Sequence, residues 1–131
     1  MKMRPPCELV VQYVLPTFRS SVARELVENY HLSQMAAANR LGTTQAAVSF
    51  YLDARRGDKI MKKLETVPAI RKIAHEVAEG IATRKFSSAD SMTKFCELCI
   101  ALRNSDVICE LHHDRLTLPE FCNICPQVAV R

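Results

Sequence analysis

Apolar residues recur at helical spacing along most of this chain. Phe18, Val22, Leu26 and Val27 fall on one face of a helix expected to start at Thr17 and end near Tyr30. Before it, ELVVQYV at 8–14 reads as a short apolar helix behind Pro5–Pro6. Glu8 stands there where an acidic side chain favours a helix N-terminus. Pro16 is expected to interrupt or bend that segment, because proline lacks an N–H and its ring crowds the carbonyl four residues back. Ser33 is a good N-cap for a helix to about Leu41, with Gly42 supplying the left-handed turn at its end. Thr44 caps the next stretch, QAAVSFYLD. Thr66 and Pro68 open a longer helix on which Val67, Ile70, Ile73, Ala74, Val77 and Ile81 share a face, with Gly80 near its end. Ser87 with Asp90 three residues on resembles a capping box for a helix through Phe95, Cys96, Cys99 and Leu102. Only VICEL at 107–111 alternates as a strand would. The expected fold class is all-α.

ARRGDK, with Gly57 as punctuation, breaks the pattern, so the expected boundary falls at 57–66. Residues 1–63 and 64–131 then form the two parts of the chain. At 131 residues these are one compact domain or two very small ones. Trp is absent and aromatic residues are few, so Val, Leu, Ile, Ala and Met must build the core. No apolar run approaches the ~20 residues a membrane span needs. The start, MKMRPPCELVV, lacks a small-residue cleavage site, and a cytoplasmic location is expected.

Charge changes the picture. Residues 1–65 carry 10 Lys and Arg against 6 Asp and Glu, whereas residues 66–131 carry 8 of each. A basic front half joined to a neutral back half suits a nucleic-acid-binding module attached to something else, although a net +4 is also ordinary surface variation.

The stretch LSQMAAANRLGTTQAAVSFYLDARRG at 32–57 gives that charge a use. Counting Gln34 as first, Ala38 is fifth, Gly42 ninth and Val48 fifteenth. Two helices crossing steeply need a small residue at the fifth place, positive φ at the ninth and a compact apolar wedge at the fifteenth. Leu41 and Leu52 close the small core. The phrase Ser33-Gln34, Gly42-Thr43-Thr44-Gln45, Val48-Ser49 and Leu52 resembles the helix-turn-helix of the phage repressor and Cro family. That resemblance implies double-stranded DNA as partner and a role for each position. Gln34 would bond to a phosphate, and Thr43 and Thr44 would lie near the backbone. Gln45 would take adenine bidentately, and Ala46 and Ser49 would face neighbouring base edges. Arg55, Arg56 and Lys59 would contact phosphates, giving affinity without sequence information.

A wider resemblance covers almost the whole chain. PPCELVVQYVLP, the helix after it, the motif and the Cys-rich tail are together similar to small archaeal predicted transcriptional regulators. Their helix-turn-helix also occurs fused to ligand-sensing domains in archaeal thiamine regulators. Here a Cys-rich tail stands in that place. One helix-turn-helix reads one half-site, so a homodimer is expected. Its candidate surfaces are the apolar segment 8–14 and the face Val67, Ile70, Ile73, Ala74, Val77, Ile81. Both are equally candidates for internal core.

The tail carries Cys96-x2-Cys99-x9-Cys109-x2-His112-x9-Cys122-x2-Cys125. A CxxC pair lets two thiolates converge on one metal, and two such pairs 22 residues apart meet the requirement for a four-cysteine site. In a reducing compartment disulfides are not expected. The metal is zinc or a [4Fe–4S] iron–sulfur cluster. Pro126 after Cys125, a fifth thiol and the helical character of CELCIALR incline towards the cluster; the commonness of CxxC–CxxC in zinc sites inclines the other way. The ligands come from Cys96, Cys99, Cys109, Cys122 and Cys125, with His112 a ligand or a neighbour bonding to sulfur. Cys7 reads as a buried structural thiol, His75 as a surface or interface residue and His113 as solvent-facing. No Ser-His-Asp set, paired acid cluster or phosphate loop can be assembled, so no enzyme and no small-molecule substrate are expected. Three functions remain: a regulator with a sensing metal centre, the same regulator with a structural zinc, and an adaptor that uses the helix-turn-helix to dock a protein.

Overall fold

A computed structural model of the chain describes Glu8, residues 10–53, residues 59–105 and Val107. Among these residues the structure is all-α, with no strand. A π-helical segment, Val10–Val14, runs directly into α1 (Leu15–Glu28). The helices α2 (Gln34–Leu41), α3 (Gln45–Leu52), α4 (Lys59–Glu65), α5 (Pro68–Ala82) and α6 (Ser88–Arg103) follow. Among the described residues no helix is long and apolar enough to cross a membrane.

Pro16 does not interrupt the helical path. It occupies the first turn of α1, directly behind the π-helical segment. Proline in an α-helix clashes with the carbonyl of residue i−4, and a wider π turn moves that carbonyl aside. The hydroxyl of Thr17 donates to the carbonyl of Tyr13 at 2.8 Å, so the loosened ladder keeps a donor there.

α1 is the central helix. Phe18, Val22, Ala23 and Leu26 are buried on it, and it packs along α5 and against α2, α3 and α4. Its end lacks glycine: His31 takes the left-handed conformation (φ 56°), and the N–H of Leu32 returns to the carbonyl of Leu26 at 3.0 Å. From α5, Ile70, Ala74, Val77, Ala78 and Ile81 are buried, and the two alanines let the helices approach closely. Val10 and Val14 are buried beside them. Both faces considered for a dimer thus contribute to the core of the chain, with Val67 and Ile73 partly buried against it, while Val11 of the first segment is 59% exposed. That core also joins residues on the two sides of position 63, since Leu64, α5 and α6 share it with α1.

α4 departs from expectation. Residues 57–66 read as a boundary, yet Lys59–Glu65 is helical and buries Leu64 against the π-helical segment and α1. Ile60 and Leu64 stand one helical turn apart, but two positions in a seven-residue segment with three lysines are a weak periodic signal beside Gly57.

At the C-terminal end of α5, the N–H groups of Lys85 and Phe86 both reach the carbonyl of Gly80, and Arg84 takes positive φ (61°). This fold-back lays the Phe86 ring on Gly80, where an added Cβ would clash with the ring atoms. Gly80→Ala is thus expected to destabilise the chain by about 1–3 kcal/mol, the usual range for overpacking. Urea denaturation measures it. Adding Phe86→Ala should remove most of the penalty, because the ring that the new methyl group meets is then gone.

α6 opens with a full capping box. Ser87 Oγ accepts from the N–H of Asp90 at 3.2 Å, and Asp90 Oδ2 accepts from the N–H of Ser87 at 2.8 Å. Bonding to the Ser87 backbone and hydroxyl holds the Asp90 carboxyl below its ordinary range. Leu98 and Leu102 bury α6 against α5, and the Phe95 ring meets Phe18 of α1 with centroids 5.3 Å apart.

Candidate functional site

α2 and α3 are set by local chemistry at each junction. Ser33 is extended (φ −67°, ψ 159°), and its Oγ accepts from the N–H of Ala36 at 3.0 Å. Gly42 sits at φ 71°, ψ 33°, the left-handed region where glycine has no Cβ penalty. The N–H of Thr43 closes the turn on the carbonyl of Ala38 at 2.9 Å. Thr44 is extended again, and its Oγ1 accepts from the N–H of Ala47 at 3.1 Å, starting α3. Three residues thus reverse the chain between two eight-residue helices. On the pair, Ala37, Ala38 and Val48 are buried and Leu41 and Leu52 are half-buried, all in the one core.

The pair is braced from outside. Ser20 Oγ donates to the carbonyl of Tyr51 at 3.1 Å, and Arg24 reaches the same carbonyl at 3.5 Å, so α1 holds the last turn of α3. Arg24 also lies 3.9 Å from Glu65 of α4. At the other end, Arg40 of α2 donates to the carbonyls of Ile81 and Ala82 at 3.0 and 3.2 Å. The Ile81 carbonyl also accepts from the N–H of Arg84 at 3.2 Å, and a guanidinium on these C-terminal carbonyls suits the negative end of that helix.

What the pair offers to solvent is a stripe. Gln45, Ala46, Ser49 and Phe50 are exposed on α3, with Val48 fully buried on the opposite side. Residues 45 and 49, and 46 and 50, are one turn apart, so the four form one continuous surface. Thr44 is exposed, and Thr43 and Gln34 are half-buried. Lys59 is exposed at the start of α4, while Arg55 and Arg56 lie outside the described residues. Phe50 is not among the expected contacts. Its side chain is 48% exposed, and its ring stands edge-on to Tyr51 with centroids 6.4 Å apart. The signal is the i+4 step from Ala46, which places any residue at 50 on the same face.

The second group of chemistry lies on α6. Cys96 is exposed and Cys99 half-buried against the core, both as thiols, three residues apart and therefore on one helix face. Met92, exposed, shares that face. Cys109, Cys122 and Cys125 lie outside the described residues, as do Cys7, His112 and His113. Among the described residues no three His, Cys, Asp or Glu converge to hold a metal ion. Two thiols at helical spacing fit half of a tetrahedral or cluster-binding donor set. His75, expected on the surface or at an interface, is exposed within the chain, its Nδ1 3.0 Å from the Glu25 carboxylate.

Comparison with protein-family models, with curated proteins and with solved structures finds no match to this chain.

Proposed function

We propose that this chain is a sequence-specific, dimeric DNA-binding transcriptional regulator of the cytoplasm, with α2, its turn and α3 forming a repressor/Cro-type helix-turn-helix. The observation that carries the reading is the α3 stripe. A short helix is wedged from beneath by Val48, held at its end by Ser20, and presents Gln45, Ala46 and Ser49 outward. An α-helix fits the major groove, and residues near its N-terminus reach the base edges there.

In this mechanism the Gln45 amide donates to adenine N7 and accepts from N6, and Ser49 hydrogen-bonds a neighbouring base edge. Gln34, Thr43 and Thr44 lie against the phosphates and fix the register. Arg55, Arg56 and Lys59 neutralise the backbone and release counterions. Cys96 and Cys99 would hold a metal or cluster together with thiols from Cys109, Cys122 and Cys125. Zinc there supplies a structural brace, and an iron–sulfur cluster supplies a centre that responds to redox state or iron.

Binding-site selection from randomised duplexes, followed by titration at several salt concentrations, tests the reading. A preferred sequence is expected, and Gln45→Ala is expected to lose about 5- to 150-fold of the discrimination at one base pair, the range for a bidentate contact. Lys59→Ala is expected to weaken all duplexes alike and to reduce the salt slope by about one. A preferred site unchanged by Gln45→Ala would show that α3 sits in another register. Weak binding to every duplex, insensitive to salt, would leave the protein-docking adaptor as the function.

A further inference from the structure

The α3 stripe has two edges of different chemistry. At about 100° per residue, Gln45 and Ser49 lie along one edge, and Ala46 and Phe50 lie along the other. The first edge is polar and hydrogen-bonding, and the second is apolar. Phe50 is the one aromatic among the large exposed apolar side chains of the described residues. Burial of α3 runs through Val48, about 200° around the helix from Phe50, so the ring stands away from the side of α3 that enters the core. The ring is nevertheless positioned: it stands against Tyr51, whose carbonyl is held by Ser20 and Arg24. A ring steadied before contact loses less rotamer entropy on binding.

The major groove has one apolar feature, the C5-methyl of thymine, and it lies on the same base pair that offers adenine N7 and N6. We infer that Phe50 reads sequence by packing on the C5-methyl of an operator thymine, with Gln45 taking an adenine beside it. This rests on the DNA-binding reading above and narrows it, since the operator must then carry thymine under the apolar edge of α3. Ala46, one turn earlier, leaves room for the methyl to approach the helix.

The test replaces the thymines of the selected operator, one at a time, with deoxyuridine, which lacks only that methyl. At one position wild-type protein is expected to bind about fourfold more weakly, the equivalent of ~0.8 kcal/mol for one buried methyl. Phe50→Ala is expected to bind the thymine and deoxyuridine duplexes alike, with its helical circular dichroism retained. Equal sensitivity to deoxyuridine in wild type and Phe50→Ala would overturn the assignment, as would no sensitivity in either. In both cases wild type still binds its operator, so the DNA-binding reading survives. A Phe50→Ala chain with altered sedimentation and unchanged deoxyuridine discrimination would make Phe50 a protein contact and overturn the proposal. If wild type selects no operator, both readings fall together.

Discussion

Val48→Asp is expected to unfold the α2–α3 pair, whereas Ser49→Asp, one residue on, is expected to leave the fold intact and weaken DNA binding. The two substitutions place the same carboxylate on two neighbouring positions of one helix, about 100° apart, one buried and one exposed. Val48 has no exposed surface and belongs to the core on which α3 packs against α1 and α2. A carboxylate there is either ionised without a partner or protonated without its hydrogen bonds. The cost is about 3–5 kcal/mol, the range measured for an uncompensated buried charge. That is a large share of the ~5–15 kcal/mol that holds a domain together. Ser49 is exposed, so a substitution there should shift stability by no more than ~0.5 kcal/mol. Against the phosphates and base edges of a duplex, its new charge should lower affinity on the order of a hundredfold, given several kcal/mol for like charges brought together. Urea denaturation followed by circular dichroism, with duplex titration of the folded variant, separates the two effects. A Val48→Asp chain as stable as wild type would refute the wedge. A Ser49→Asp chain with undiminished affinity would place the groove-facing surface elsewhere.

The parts of this fold that are legible in the sequence are those fixed by neighbours along the chain. Ser33, Thr44 and Ser87 each bond to an N–H three residues ahead, and Gly42 meets a local need for positive φ. Such features depend on a handful of consecutive residues, so the residue types alone announce them. Pro16 shows where the local rule ends. Its cost to an α-helix is real, but Val10–Val14 ahead of it adopts the wider π geometry, which no periodicity of side chains records. The segment Val10–Val14 and the α5 face read as apolar without a destination. Which surface covers them is decided by the way both pack on α1, a property of the whole packing.

The candidate site divides in the same way. Exposure of Gln45, Ala46 and Ser49 follows from the spacing that buries Val48. Phe50 does not stand out, because a phenylalanine in a helical pattern reads as core until Val48 and Leu52 are seen to fill that side. The Arg40 bonds to Ile81 and Ala82 span more than 40 residues of sequence and have no local signature. They matter to the candidate site all the same, since they tie α2 to the end of α5, and α5 carries α6 with its two thiols.

Replacing Cys96 and Cys99 together by serine is expected to abolish metal binding while leaving the helical core folded. The two outcomes are separable because the thiols and the core are different groups on α6. Leu98 and Leu102 bury the helix, whereas Cys96 is exposed and Cys99 packs only partly against the core. Serine keeps the size of the side chain but not the soft thiolate that zinc or iron–sulfur clusters require. In protein purified without oxygen, wild type is expected to carry either zinc or iron with acid-labile sulfide and visible absorption. The double variant should carry neither, with far-UV circular dichroism from α1 to α5 preserved. Chelation of the wild type should act on the segment beyond α6 in the same way, because apparent binding energies of roughly 10–16 kcal/mol exceed what a segment of roughly 30 residues could supply from its own core. Iron and sulfide in the wild type would make loss of the centre a signal that reaches α1 through the Phe95–Phe18 contact, and operator affinity should then differ between loaded and stripped protein. Zinc with unchanged operator affinity on chelation would make the centre a brace. A full metal complement in the Cys96→Ser, Cys99→Ser chain would remove α6 from the site altogether.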